Sequence, residues 1–543
     1  MGLINILVMA GVALAWALIF KQRGRGWFLL VTSALAIYWL QPLLPIHGMD
    51  FWLPTLTLAL AVLSWLVTTP PENRDWRKNW PAAVVLSGVV LLLDLTRFFG
   101  QSGLLTAGRP PLLELVALVL LVLAGLGLLL SRLKKMPAAL LTGLVVLLIA
   151  LMVVLKLPAL TQLVSGWLRA LVGQSAELAT ANELRWLGFS YVAFRLIHTV
   201  RDRQNGRLPL VSLQEYVIYV IFFPAFVAGP IDRLERFIRD LRFPGAKAPG
   251  YEKGAPGYEK GAPGYEKGAP GYEKGAPGYE KGAPDNEKGA PDNEKGAPDN
   301  EKGAPGYEKE AGGLAAQDYA EAGKRLVIGL FKKFVVADTL ALVALNATNV
   351  LQAHSAGWLW LLLYAYAFQI FFDFSGYTDI AIGLGRLMGI VLPENFNAPY
   401  LKPNLTLFWN SWHMTLTQWF RAYYFNPLTR WLRSGGRKLS PAVIIFVTQF
   451  STFVLIGLWH GVTLNFVAWG AWHGLGLFLQ NRYSEWVRPR LPNLSARPYL
   501  KHGLTVVGVL LTFHYVTLGW VWFALPSLNT SWQVLQGLWI GVR

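Results

Sequence analysis

An all-α polytopic membrane protein is the fold class that this sequence predicts, and three observations carry the expectation. The chain is 54% hydrophobic and only 15% charged. Apolar runs recur that can cross a hydrocarbon core of about 30 Å, each needing roughly 20 residues of helix. Between the early runs, loops dense in Lys and Arg alternate with loops nearly bare of them, as successive crossings require.

The first run, Ile4–Phe20, is expected to remain as a helix, because no basic segment precedes it and no small-residue cleavage site follows. Trp27–Leu44, Phe51–Val67, Ala82–Leu95, Leu112–Leu130 and Ala138–Leu155 follow. Later runs are Leu187–Val200, Tyr216–Val227, Leu340–Phe372 (read as two elements), Pro441–Trp459, Phe466–Leu479 and Leu504–Phe523. Together they give about 10–12 membrane elements, some too short for a perpendicular span.

Loop charge sets the orientation. Lys21, Arg23 and Arg25 fill the first loop, Arg74, Arg77 and Lys78 the third, and Arg132, Lys134 and Lys135 the fifth. Gln41–Asp50 holds no Lys or Arg, and the fourth loop only Arg109. The N-terminus is therefore expected outside. Loops with Arg23, Arg77, Lys134 and Arg203 should be cytoplasmic, and Gly48 and Ser102 external. Arg233, Arg236, Arg239 and Arg242 break the alternation. Pro224, Gly229 and Pro230 interrupt the run before them, so Tyr216–Pro230 reads as a broken, re-entrant element, tolerated only where protein or water surrounds it.

The formal charge of +17 is this basic lining, suited to membrane lipids of an anionic leaflet, with no call for nucleic acid. The chain has no cysteine, which excludes disulfides, thiolate metal sites and a cysteine nucleophile. No His-Glu-x-x-His and no Gly-x-Ser-x-Gly occur, arguing against a metal centre and a serine hydrolase.

From Gly245 to Lys309 a unit Gly-Ala-Pro-Gly-Tyr-Glu-Lys recurs, with Asp-Asn replacing Gly-Tyr at 285, 292 and 299. Seven is the coiled-coil period, but each unit carries Pro and Gly and lacks a pair of apolar seam residues. The segment is expected to be a disordered linker. Tyr319–Ala337, just beyond it, has Lys324, Arg325, Lys332 and Lys333 among apolar residues and reads as a basic helix at the inner membrane surface.

Chemistry concentrates near the C-terminus. Phe408-Trp-Asn-Ser-Trp-His413-Met-Thr-Leu-Thr-Gln-Trp-Phe420 and Gly457-Leu-Trp-His460-Gly-Val-Thr-Leu-Asn465 each place a histidine in apolar, Trp-rich sequence. A fully charged residue at the centre of a membrane helix costs about 2.5–3.5 kcal/mol on insertion scales. A neutral imidazole costs less and can take up and return a proton. His473 reads as structural. Phe371-Phe-Asp373-Phe-Ser-Gly-Tyr377-Thr-Asp379 adds two carboxylates six residues apart, which do not share a helix face. They read first as structural groups, one capping or orienting, the other pairing with a base such as Arg386.

These stretches, with Ala228-Gly-Pro-Ile231, Gly329-Leu-Phe-Lys-Lys333, Leu392-Pro-Glu-Asn-Phe396 and Trp469-Gly470…His473-Gly474, occur in an order that resembles the bacterial branch of the membrane-bound O-acyltransferase (MBOAT) family. That branch includes alginate O-acetylation proteins and teichoic-acid D-alanyltransferases. The resemblance covers roughly 183–479 outside the repeat, weakens in the N-terminal helices, and departs at Ala422, where the family usually has Asp. It implies an MBOAT-like fold with N-terminal transmembrane helices (1–182), the start of an acyltransferase core (183–244), the linker (245–309), the core with both histidines (310–482), and a C-terminal loop and helix (483–543).

It further implies His460 as the catalytic histidine, assisted by His413. Candidate oxyanion or substrate contacts are Asn465, Tyr377, a protonated His413, Asp373, Asp379 and Arg421. No tightly bound cofactor is expected. The co-substrate would be an acyl thioester, acetyl-coenzyme A or an acyl-carrier protein, on the cytoplasmic side. The acceptor would be an extracytoplasmic polysaccharide hydroxyl, with or without a partner acyltransferase, at a bacterial cytoplasmic membrane. The competing expectations are a proton-coupled transporter or flippase of a lipid-linked glycan, which would use the histidines as a relay, and a structural membrane subunit. No inverted repeat supports the transporter.

Overall fold

The computed structural model describes residues 2–19, 24–99, 105–133, 137–244, 314–434, 439–487, 490 and 498–541. The repeat, and the loop positions Arg23, Ser102 and Lys134, lie outside them. Contacts group 1–242 with 314–543 into one unit. The second unit is 243–313, of which only 243 and 244 are described.

Among the described residues every regular element is a helix. The N-terminal part runs α1 (Leu3–Ile19), α2 (Arg25–Leu40), α3 (Met49–Thr68), α4 (Trp76–Leu95), α5 (Leu113–Ser131), α6 (Ala138–Lys156) and α7 (Pro158–Leu171), then α8 (Phe189–Gln204), α9 (Leu213–Ile221) and α10 (Leu234–Arg242). After the repeat come α11 (Ala316–Leu330), α12 (Asp338–Ala341), α13 (Ala356–Leu387), α14 (Leu405–Trp409), α15 (Met414–Phe420) and α16 (Asn426–Ser434). The chain closes with α17 (Pro441–His460), α18 (Leu464–Val487), α19 (Pro498–Ala524) and α20 (Leu528–Ile540).

Seven of the described helices, α3 to α6, α13, α17 and α19, are long and apolar enough to cross a membrane. Three shorter apolar segments, Leu3–Leu18, Arg25–Leu40 and Leu213–Ala225, join them. The expected elements at Leu187–Val200 and Phe466–Leu479 fall in α8 and α18, which are not in this set. Arg195 and His198 in one, and Asn465 and His473 in the other, dilute their apolar content.

Leu340–Phe372 does not form the two membrane elements expected: its start is only the end of the four-residue α12, and the single long helix that follows, α13, does not stop at Phe372. After a turn through 342–355, Ser355 caps α13 by accepting the Trp358 N–H at 3.2 Å. α13 then continues through both aspartates to Leu387. Asp379 does not pair with Arg386. It accepts from Arg325 Nη1 at 2.5 Å and Lys332 Nζ at 2.7 Å, Arg325 also binds Glu394, and Arg386 lies 3.7 Å from Asp318. With its charges neutralised by α11 and its π-helical extension (Phe331–Ala337), the helix has no reason to end there.

The broken element takes a form that burial explains. Ser212 and Glu215 form a reciprocal capping box for α9, the helix stops at Ile221, and a 3-10 turn (Phe223–Ala225) and irregular backbone follow to Arg233. Residues 216–226 are all buried. The carbonyls this frees at Val220 and Ala225 both accept from the Arg195 guanidinium at 2.7 Å. A buried cation thus replaces the missing helix bonds, as backbone in an apolar medium demands.

α17 and α18 form a tight hairpin. A Cβ on Gly457 would lie 2.1 Å from Phe466 O, and one on Gly470 2.4 Å from Phe453 O. Only glycine permits that approach. It fixes His460, the last residue of α17, against α18.

Candidate active site

A cavity of about 260 Å³ opens where α13, α15, α17, α18 and α19 converge. Asp373, His413, Trp459, His460, Trp469 and Phe523 line it, with Tyr191 and Ala228 contributed from the N-terminal half. The two motif histidines, 47 positions apart in the chain, therefore share one chamber.

His413 caps α15 in the left-handed region, φ 43° and ψ 51°, a conformation that costs a non-glycine residue about 1–3 kcal/mol and persists only where its surroundings impose it. Asn395 imposes it. Its backbone oxygen accepts the Met414 N–H at 3.0 Å. Its side-chain Oδ1 accepts from Thr415 N–H at 3.1 Å and Thr415 Oγ1 at 2.8 Å, and contacts His413 Nδ1 at 3.3 Å. Two donors from Thr415 identify that atom as oxygen, so the network assigns the His413 proton to Nδ1. Nε2, buried and without a partner among the described residues, then presents a lone pair.

His460 sits where α17 ends because Gly461 turns extended, with φ −177°. Its ring lies among Trp459, Phe466, Trp469 and Phe523, with centroids 4.5 to 6.0 Å away. No described residue hydrogen-bonds it. Trp459 stands next to both histidines, its ring 6.3 Å from His413 and 4.5 Å from His460. Lys156, the last residue of α6, holds its Nζ 5.4 Å over the Trp459 ring, and its carbonyl accepts the Val462 N–H at 3.4 Å.

The remaining sequence candidates separate. Asp373 lines the cavity and pairs with Lys333. Asn465 does not line it, and both its amide protons are committed, to Leu525 O at 2.7 Å and Ser531 Oγ at 3.2 Å. It ties α18 to the turn before α20 and is no oxyanion donor. Tyr377 is buried away from the lining, Asp379 belongs to the charge cluster, and Arg421 binds Asn410 Oδ1 at 2.8 Å on a π-helical turn. His473 is fully buried between Trp409 and Trp469, outside the lining. Sequence reading missed Asn395, Trp459 and Lys156 as site residues. A lone lysine closing an otherwise apolar run was the available signal for the last.

No group of three or more metal-ligating side chains occurs among the described residues. Two imidazoles with open ring nitrogens in an aromatic chamber suit proton transfer to and from a bound substrate.

Residues 319–519 match the membrane-bound O-acyltransferase family. The chain is 36% identical over 220 residues to the probable alginate O-acetylase AlgI of Pseudomonas aeruginosa, covering 40% of this chain and 38% of that protein. It is 35% identical over 211 residues to the peptidoglycan O-acetyltransferase of Helicobacter pylori, 39% and 37% of the two chains. To the teichoic acid D-alanyltransferase of Bacillus subtilis it is 25% identical over 348 residues, 63% and 69%. The match thus spans well under half of the first two relatives. The segment that matches the family model, 319–519, includes both cavity histidines.

Proposed function

We propose that this chain transfers an acyl group, acetyl in the first instance, from a cytoplasmic thioester to a hydroxyl of an extracytoplasmic envelope polysaccharide, in the cytoplasmic membrane of a bacterium. The observation that carries the reading is the shared cavity of His413 and His460 inside the family domain. The relatives' names, which cover alginate, peptidoglycan and teichoic acid, support a polymer acceptor. Acetyl-coenzyme A or an acylated carrier protein would be the donor.

His460 is the general base in this scheme. Its open ring nitrogen takes the hydroxyl proton as the oxygen attacks the thioester carbonyl carbon. The tetrahedral intermediate collapses, the C–S bond breaks, and the imidazolium returns the proton to the departing thiolate. The His413 Nε2 lone pair orients the acceptor hydroxyl. The aromatic walls exclude water, which favours transfer over hydrolysis.

The test is incubation of the purified full chain with radiolabelled acetyl-coenzyme A or acetylated carrier protein and an oligosaccharide acceptor. Acetyl ester on the acceptor is the expected result. Absence of donor consumption, together with proton-coupled glycan uptake into proteoliposomes, would replace this reading with the transporter.

A further inference from the structure

We propose that the indole N–H of Trp459 is the oxyanion donor of this acyl transfer, and that Lys156 is its positioning residue. The inference rests on the acyl-transfer reading above. A developing oxyanion needs a fixed hydrogen-bond donor in a dry site, and the structure removes the donors that sequence offered. Asn465 has both amide protons engaged, Tyr377 lies outside the lining, and His413 commits its Nδ1 proton to Asn395, leaving Nε2 as the acceptor that the base scheme requires.

Buried indole N–H groups are normally satisfied, and several in this chain are. Trp65 donates to Val211 O at 3.0 Å, Trp186 to Thr57 Oγ1 at 2.8 Å, Trp419 to Phe194 O at 3.1 Å and Trp472 to Tyr515 O at 3.0 Å. Three others sit at the cavity. Trp409, Trp459 and Trp469 all line it, and all three leave Nε1 buried with no partner among the described residues. An unmet buried donor is costly, a cost that a substrate oxygen would remove.

Of the three, Trp459 alone is in ring contact with both His413 and His460, where the reacting carbonyl must lie. It is also the ring under the Lys156 ammonium. Lys156 has no carboxylate partner among the described residues. A cation on the indole face draws electron density from the ring and makes its N–H a stronger donor.

In the step itself, the hydroxyl oxygen bonds to the carbonyl carbon and the C=O π pair moves to the oxygen. Trp459 Nε1–H donates to that oxyanion without transferring its proton. The pair returns as the thiolate leaves, and the thiolate takes the proton that His460 had removed.

The experiment uses the full chain in nanodiscs, with acetyl-coenzyme A as donor. Trp459 is replaced by Phe and, by nonsense suppression, with the benzothiophene isostere, which keeps the ring and lacks the N–H. Both should lower single-turnover transfer by roughly 10²–10³-fold, while a non-reactive thioether analogue of the donor binds within about threefold of wild type. Lys156→Gln should cost about tenfold, and Lys156→Arg should restore most of that. A benzothiophene variant with near-normal turnover, or one that loses thioether binding in parallel with turnover, would overturn the assignment. A wild-type chain that consumes no acetyl thioester would instead remove the acyl-transfer reading beneath it.

Discussion

Asp373 and Asp379 stand six residues apart on α13 and serve opposite ends. Asp379 is 7% exposed and takes hydrogen bonds from Arg325 and Lys332. Asp373, paired only with Lys333, is 49% exposed because it faces the cavity. The same contrast separates the two regions they belong to. The α11–α13 cluster pairs its charges with one another, whereas the chamber around His413 and His460 leaves ring nitrogens and indole N–H groups unmet. In an apolar surrounding, a completed network fixes geometry, and an incomplete one is stable only if something else is to complete it.

His460→Ala breaks the comparison most sharply. It should lower acyl transfer by roughly 10²–10⁴-fold while the protein inserts and melts normally, as read by single-turnover assay and fluorescence-detected unfolding. His413→Ala, which removes an orienting acceptor, should cost less, about 10–10²-fold. Equal losses, or a His460→Ala protein with near-normal transfer, would erase the distinction between base and helper.

Asp379→Asn probes the other region and should behave in reverse. Arg325 and Lys332 would face each other without their shared counter-charge, at a cost of roughly 3 kcal/mol in stability. The melting temperature should fall, and turnover per folded molecule should change little. If turnover collapsed while melting held, the cluster would have to be counted as catalytic.

The smallest expected effect tests a completed pair outside the spans. Arg169 donates to both Glu183 oxygens, at 2.8 and 2.9 Å, and these bonds hold the Glu183 carboxyl below its usual range. Folding lowers this pKa. The pair's contribution is therefore full above the ordinary Glu value of about 4.3 and fades as pH falls through the depressed folded value. The melting-temperature gap between wild type and Glu183→Gln should be largest at neutral pH and close only below about pH 4. A gap that did not change with pH would mean the pair contributes through packing.

Most helices were legible, because apolar runs need no knowledge of neighbours. Errors arose where a neighbour decides. Asp373 looked like the end of a run because Lys333, the cation that neutralises it, lies 40 residues away in sequence on the extension of α11. Arg386 looked like a partner for one of the two aspartates because it was near in sequence, yet Asp379 is reached by Arg325 and Lys332 across the helix interface. Both histidines that line the cavity were singled out as candidates from their motifs. Asn465 was misread as a donor, since nothing in its motif shows that Leu525 and Ser531 occupy its amide. Lys156 and Trp459 become conspicuous only when the partners they lack can be examined in space.

The hydrogen bond from Val462 to the carbonyl of Lys156 also bears on what counts as a module here. The family segment begins at residue 319, yet Tyr191, Ala228 and the end of α6 help to build the chamber and brace the turn that carries His460. A boundary drawn by shared ancestry therefore does not coincide with one that could be cut. Grafting the family segment alone onto another set of N-terminal helices would transplant both histidines and leave behind part of the wall that makes them useful. Change in such a protein has to come by co-ordinated substitution across the seam rather than by exchange of parts.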